Sequence, residues 1–254
     1  MPEHEIYARP TVNQVIFQIR FPNLFYIATK IGDFQLKIME RFPESKLLQQ
    51  RGIVIAELGP EASLRDLPEP PSHVGLQTIW QFCSPEGVKL GVTSNSLDLS
   101  SSQHKTYNAP GPHPRFRDAI EFATNHFLGL TEIPVISRIG LRYIDNCLLP
   151  ELNNNAFSAY YNTTFPLKRY PISDATEMNF ATRVRRGSYS LRFAESFVAE
   201  PSPARLTLDF DGSAENLKAE NYLQTADALH DLVHDEYERF IRDPVRETMR
   251  KPKE

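Results

Sequence analysis

Cysteine, tryptophan and glycine are scarce in this chain of 254 residues, which contains 2 Cys, 1 Trp and 11 Gly. So few cysteines and glycines exclude a disulfide-stapled scaffold and a collagen-like fibre. No apolar run approaches the roughly 20 residues that span a bilayer. Lys and Arg number 28 against 32 Asp and Glu, and a net charge of −4 argues against a broad nucleic-acid footprint. The composition is that of a globular protein, with 41% hydrophobic and 24% charged residues.

The N-terminal residues MPEHEIYARP lack the basic-then-apolar order of a signal peptide. We therefore expect a cytoplasmic protein without a membrane partner. In that compartment Cys83 and Cys147 are predicted to be reduced strand residues rather than a disulfide.

The first half of the chain shows a strand followed by a core-facing helix. Val15, Phe17 and Ile19 alternate with polar residues, which is the period of a half-buried strand. Apolar residues then recur every three or four positions from Ile27 to Phe42, which predicts a helix that ends near Pro43. Four further strands are predicted over Ile53 to Leu58, Thr78 to Cys83, Lys89 to Thr93 and Ser96 to Ser100, and the last two could be one bent strand. A proline-containing loop is predicted over Gly59 to Gly75, and a second helix from Pro114 to Gly129.

The second half begins in the same way, because Ile139, Leu141 and Tyr143 alternate with Arg138, Gly140 and Arg142. The elements that follow are predicted as a short helix over Ala156 to Tyr161, strands over Met178 to Val184, Tyr189 to Val198 and Arg205 to Asp211, and a closing helix from Gln224 to about Arg242, which Pro244 ends or kinks.

The two halves therefore predict an α+β protein built from two β-α-β(3-4)-α units, residues 1–131 and 132–254, in one compact module. Three short matches favour an internal duplication with a pseudo-twofold axis, and chance similarity is the alternative. The matches are Gln18 to Phe21 with Gly140 to Tyr143, Arg41 to Pro43 with Thr164 to Pro166, and Leu97 to Leu99 with Leu208 to Phe210. Antiparallel sheets would pack on the long helices with one apolar face and leave the other face polar. This arrangement resembles the helix-grip and saddle folds.

The stretch Arg-Ile-Gly-Leu-Arg-Tyr-Ile-Asp at residues 138–145 resembles the signature strand of a sporadically distributed family of uncharacterised prokaryotic proteins. The likeness extends to the Gln14 to Pro22 strand, the Leu206 to Asp211 strand and the Leu229 to Ile241 helix, and so to most of the chain. The family usually has Asn where this chain has Asp145. The resemblance implies a full-length globular unit and carries over no substrate, cofactor or catalytic residue; patchy distribution is also associated with accessory genes such as defence or toxin-antitoxin modules.

A polar surface is predicted where charged residues lie opposite the apolar positions of their strands. The candidate ligand-binding residues are Arg20, Arg138, Arg142, Asp209 and Asp211, with Asp98 on a further strand. Guanidinium groups bind carboxylate or phosphate with two parallel hydrogen bonds, which favours an anionic ligand or protein partner. Cross-strand Arg–Asp pairs with a purely structural role are the alternative.

Metal and nucleophile chemistry have weaker support. Asp209 and Asp211 lack the further oxygen ligands of a cation site, and His230 and His234 lie one helical turn apart without the Glu of the His-Glu-x-x-His motif. No Gly-x-Ser-x-Gly elbow or phosphate-binding glycine loop occurs, and Cys83 follows strand residues, where a thiol is normally inert. The sequence therefore predicts no metal and no cofactor.

Three functional hypotheses follow. The first is a non-enzymatic binding protein that uses the arginines for an unknown small anionic ligand or a protein partner. The second is an enzyme with a helix–sheet pocket in which Asp209 or Asp211 and a histidine act as acid and base. The third is a nucleic-acid-associated module that uses the basic hairpin from Arg183 to Arg192, although the net charge argues against it. A homodimer that covers exposed sheet edges is kept as an option.

Overall fold

The structure, a computed structural model, describes residues 7–51, 76–108, 115–149, 151–200 and 203–251. Nine strands and five α-helices lie in these ranges. In chain order they are β1 (Val12–Arg20), α1 (Ile27–Ile38), β2 (Glu44–Arg51), β3 (Leu76–Cys83), β4 (Val88–Val92), β5 (Ser96–Ser101), α2 (Phe116–Thr131), β6 (Val135–Cys147), α3 (Asn154–Tyr160), β7 (Glu177–Arg186), β8 (Tyr189–Val198), β9 (Arg205–Lys218), α4 (Tyr222–Phe240) and α5 (Asp243–Arg250).

All nine strands belong to one antiparallel sheet in the order β2-β3-β4-β5-β1-β6-β9-β8-β7. The mixed α+β class is confirmed, but the expectation of separate sheets is wrong. The first strand of each half pairs with the other along its length, from Val12 opposite Asp145 to Arg20 opposite Arg138. This central ladder joins the two halves because β1 and β6 each present an edge that the strands of their own half leave open.

The helices α1, α2 and α4 cover one face of the sheet, where the predicted alternating residues are buried. Phe17, Leu141 and Phe210 have no exposed surface. In α1, Phe34 packs edge-on against Phe82 of β3 and Phe127 of α2, with ring centroids 5.9 and 5.7 Å apart. The helices and the sheet therefore enclose an apolar core, and the opposite, outward face of the sheet carries the polar side chains.

Several predicted boundaries differ from the structure. The edge strand β2 was not predicted, because its residues 44–49 are exposed on both faces and show no alternation. The predicted strand Ile53 to Leu58, the loop Gly59 to Gly75 and Pro114 lie outside the described residues. The helix α2 passes Gly129 and ends only after Thr131, where Glu132 adopts the left-handed conformation with φ 52°.

The end of the chain also differs. The strand β9 was predicted to end at Asp211 but continues to Lys218, and Gly212 within it lies in close contact with α4. A Cβ on Gly212 would lie 3.3 Å from Cγ2 of Val233. The helix α4 ends at Phe240, and Pro244 occupies the first turn of the separate helix α5, where a proline needs no amide partner.

The predicted boundary at residues 131 and 132 falls between the end of α2 and the start of β6. The division into two units and their duplication stay predictions. Cys83 and Cys147 lie in β3 and β6 as free thiols. None of the helices in the described ranges has both the length and the apolar character needed to cross a membrane.

Candidate functional site

Alternation along the central strands places the predicted arginines on the outward face. Arg20 on β1 stands directly opposite Arg138 on β6, and Arg142 lies two outward positions further along β6. The register with β9 sets Arg142 opposite Asp211 and Arg138 opposite Glu215. The five candidate residues are therefore neighbours on one surface, as the sequence predicted for their strand faces.

Gln18 connects the first group of these side chains. Its amide oxygen accepts from Nε of Arg20 at 2.8 Å and from Arg138 at 3.4 Å, and its amide nitrogen donates to Asp98. Burial raises the pKa of Asp98, while hydrogen bonds from Gln18 and Ser96 act in the opposite direction. This group fixes the positions of Arg20 and Arg138, and none of the carboxylates in the described ranges forms an ion pair with Arg20.

Arg138 reaches sideways along the sheet to Asp211. Its Nη2 donates to both carboxylate oxygens at 3.0 Å. The guanidinium lies over Gly140, where a Cβ would approach Nη1 of Arg138 to 2.6 Å. The missing side chain at Gly140 thus leaves the space through which this ion pair forms.

Asp209 is shared by two arginines from neighbouring strands. Arg142 donates to its two oxygens from Nε at 2.6 Å and from Nη2 at 2.8 Å, and Arg192 of β8 donates from Nη1 at 2.9 Å. The hydrogen bonds to Asp209 raise the pKa of Arg142. The side chains of Arg142 and Arg192 remain 42% and 39% exposed, so both guanidiniums are accessible to a ligand.

The basic β7–β8 hairpin continues the same surface. Arg192 stands opposite Asp211 on one side and opposite Arg183 on the other. Among the described residues Arg183 and Arg185 form no ion pair. The sequence predicts this hairpin as a separate candidate, because it shows the alternation of each strand but not the order in which the strands pair. We call the outward side chains of Arg20, Arg138, Arg142, Arg183 and Arg192 the arginine face.

The histidine His230 lies on the other side of the sheet, among the helices. His230 of α4 stacks on Tyr107 with ring centroids 4.5 Å apart, and its Nδ1 lies 3.1 Å from the hydroxyl of Tyr143. Tyr143 is an inward-facing residue of β6, whereas Asp209 and Asp211 point outward. The sheet therefore separates His230 from the two aspartates, so this histidine and Asp209 or Asp211 do not form an acid–base pair.

A half-buried ion pair between α2 and α4 lies beside this histidine and contacts Tyr107. Asp227 of α4 accepts two hydrogen bonds from Arg117, both at 2.8 Å, and a third from the hydroxyl of Tyr107 at 3.0 Å. Burial, followed by the neighbouring Asp227 carboxylate, raises the pKa of Tyr107. These contacts connect α2, α4 and the segment around Tyr107. The charges of Arg117 and Asp227 neutralise each other, so this pair is explained by a structural role.

Asp145, noted in the sequence only as the position where the resembling family usually has Asn, is an inward-facing carboxyl. It continues the inward positions of β6 after Tyr143 and is 2% exposed. Thr11 donates to it at 2.9 Å. Burial raises the pKa of Asp145 to about 7, against the lowering effects of the Thr11 hydrogen bond and the Lys105 charge. The burial of Asp145 was not predicted, although the period-two alternation of the signature strand places residue 145 on the same face as Leu141 and Tyr143.

Other arrangements that would suggest chemistry are explained by local structure. In the described part of the chain no three His, Cys, Asp or Glu side chains are placed to hold a metal ion. Ser101 lies 2.9 Å from Nδ1 of His104, but its hydroxyl also accepts the backbone N–H of His104 and of Gln103, which is a turn contact. A cavity of about 10 Å³ beside His104 and Arg41 is at the lower limit for one water molecule.

Comparison with known proteins returned no matching family model, no matching curated protein and no matching solved structure.

Proposed function

We propose that this protein is a binding protein that recognises an anionic group with its arginine face. The observation that carries the proposal is the pair Arg192 and Arg183, which stand directly opposite each other on β8 and β7. Like charges in such a pair repel, and the Asp209 carboxylate bound to Arg192 is already shared with Arg142. An anion placed between the two guanidiniums relieves this repulsion.

The energies of the existing pairs favour ligand exchange. Half-exposed ion pairs contribute about 0 to 1 kcal/mol each, so a ligand that displaces Asp209 from Arg192 loses little. Phosphate and carboxylate groups both fit, because each offers two oxygens to a planar guanidinium. The proposed ligand is therefore a small phosphate- or carboxylate-bearing molecule, or an acidic segment of a protein.

Chromatography on immobilised heparin, a sulfated polyanion, tests the proposal directly. A protein with a net charge of −4 has no overall attraction for heparin, so retention at about 50 mM salt requires a local cationic surface. The double variant Arg183→Gln/Arg192→Gln is expected to elute at clearly lower salt than the wild type. Arg115→Gln is the matched control, because Arg115 lies at the start of α2 and pairs with Asp118. Failure of the wild type to bind, or equal elution of the double variant and the control, overturns the proposal.

A nucleic-acid partner is the second candidate, favoured by the presence of the hairpin arginines on this face. The outward positions of β7, β8 and β9, three fully described strands, carry no aromatic side chain on which bases could stack. Any binding to a single-stranded oligonucleotide should therefore depend on salt and not on base composition. Oligonucleotide binding that Arg115→Gln and Arg183→Gln/Arg192→Gln weaken equally would remove this candidate.

An internal duplication is also proposed for the origin of the sheet. Its support is that Gln18 lies directly opposite its predicted match Gly140, as a twofold axis between β1 and β6 requires. Another match, of Asp98 with Asp209, fits less well. In the first half Gln18 lies opposite Asp98. In the second half Gly140 lies opposite Ser213, which is four residues away from Asp209. Superposition of β1, β5, β4 and α2 on β6, β9, β8 and α4 tests the duplication, and a failure to align their Cα atoms in that order would argue against it.

A further inference from the structure

The strand β7 forms one end of the sheet and offers an open edge. It pairs with β8 on one side, and within the described ranges no strand pairs with its other side. Most of its residues are exposed, including the large side chain of Phe180 at 36%. An edge strand of ten residues presents unpaired backbone N–H and C=O groups that can pair with another strand.

The two faces of β7 differ in chemistry. Glu177, Ala181 and Arg185 belong to the outward set, which continues the arginine face. Met178 and Val184 belong to the set on the helix side, where both pack against the core. A partner strand must match both faces at once, because directly opposite residues in an antiparallel pair lie on the same face.

A second copy of β7 satisfies this condition when the antiparallel register is centred on Ala181. Residue 177 then stands opposite 185, 178 opposite 184, 179 opposite 183 and 180 opposite 182. On the outward face Glu177 of each copy meets Arg185 of the other, and on the helix side Met178 meets Val184. Neither Glu177 nor Arg185 has an ion-pair partner among the described residues. The register pairs nine of the ten residues of β7 and buries the exposed ring of Phe180.

Neighbouring registers fit less well. Centring the pair on Thr182 places Arg185 opposite Asn179 and sets the apolar Met178 opposite Arg186. Centring it on Phe180 retains a Glu–Arg pair but leaves only seven paired residues. A shift by one residue would oppose the two faces and is excluded by the pleat.

We propose that two copies of this chain associate through their β7 strands, antiparallel and centred on Ala181, to form one continuous sheet of eighteen strands. The inference rests on the geometry of the edge and not on the proposed anion binding. Charge complementarity at Glu177 and Arg185, together with the apolar match on the other face, identifies the occupant of the edge as a second copy.

Sedimentation velocity of the full chain measures the association. The wild type at about 50 µM is expected to sediment with twice the monomer mass of 29.1 kDa. Glu177→Arg and Arg185→Glu should each weaken association by about tenfold or more, because each places like charges opposite each other twice in the dimer. The double variant Glu177→Arg/Arg185→Glu restores both pairs with the charges exchanged and should dimerise again. A monomeric wild type, or single variants that associate as tightly as the wild type, overturns the proposal.

Disulfide trapping tests the register separately. In the proposed pairing the two Ala181 residues are directly opposite, with Cα atoms about 4.5 to 5.5 Å apart, which a disulfide can span. Ala181→Cys should therefore form a covalent dimer on mild oxidation. Thr182→Cys is the matched control, since the two copies of residue 182 would be about 8 Å apart, beyond the reach of a disulfide. Equal crosslinking of both variants, or none with Ala181→Cys, contradicts the register.

Discussion

Asp145→Asn should stabilise this protein at neutral pH and leave its stability almost unchanged in acid. The carboxyl of Asp145 is 2% exposed and accepts one side-chain hydrogen bond, from the hydroxyl of Thr11. The hydroxyl of Thr11 also lies 2.7 Å from the hydroxyl of Tyr237, which joins the same hydrogen-bonded group. Asparagine has the same shape and keeps an oxygen to accept from Thr11, so the substitution removes the charge and preserves the contact.

The magnitude follows from the pKa of Asp145, which is about 7 in the folded protein against 3.8 for an ordinary aspartate. The folded state therefore holds the proton more tightly than the unfolded state. Below about pH 4 both states are protonated and the carboxyl costs nothing, whereas the cost grows as the pH rises and is complete above about pH 7. A shift of about three units at 1.36 kcal/mol each sets an upper limit of about 4 kcal/mol.

Urea denaturation of both proteins at about pH 5 and about pH 8 measures this difference. The stability advantage of Asp145→Asn should grow by about 2 to 3 kcal/mol between the two conditions. Asp33→Asn, at an exposed position of α1, is the control for loss of one surface carboxylate. Parallel pH profiles for the wild type and Asp145→Asn would refute the assignment of a buried, proton-binding carboxyl to this position.

Three further substitutions test the packing of the sheet. Gly212→Ala places a Cβ 3.3 Å from Val233 and should cost about 1 to 3 kcal/mol in urea denaturation, and an unchanged midpoint would contradict the tight contact of α4. Glu195→Ala removes a fully buried carboxylate that accepts hydrogen bonds from the backbone N–H and the hydroxyl of Thr164. The free energy of unfolding should fall by about 2 to 4 kcal/mol, and proteolysis near Thr164 should become faster. Normal protease resistance would count against this anchoring. Phe34→Ala should cost about 3 to 5 kcal/mol, and a loss below about 1 kcal/mol would show that its pocket collapses freely.

Hydrophobic periodicity predicted the core elements well because one face of each is buried. The alternation at Val15, Phe17 and Ile19 and the helical stripe from Phe116 to Phe127 each gave buried residues. The same signal is absent from β2, since an edge strand exposed on both faces places no demand on the order of its side chains. Local pattern therefore identifies elements that contribute to the core and misses those held only by backbone pairing.

The candidate site was predicted in part for a related reason. Strand alternation placed Arg142 and Asp209 on polar faces, but their contact depends on β6 and β9 being neighbours with a particular register. That register results from long-range pairing, which no local pattern encodes. Arg192 was assigned to a separate hairpin for the same reason, although it binds the same carboxylate as Arg142.

Anion binding by the arginine face should depend on the β7 dimer, whereas the dimer should not depend on anion binding. Pairing through β7 would bring the arginine faces of two copies together across the twofold axis, with the Arg183 residues about 14 Å apart. A polyanion could then contact both copies at once, so loss of the dimer through Glu177→Arg should weaken retention on heparin even though that substitution adds positive charge. Arg192 lies on β8, behind the edge, so Arg192→Gln should weaken retention without affecting association. A variant set that showed the reverse pattern would place the anion site away from the arginine face.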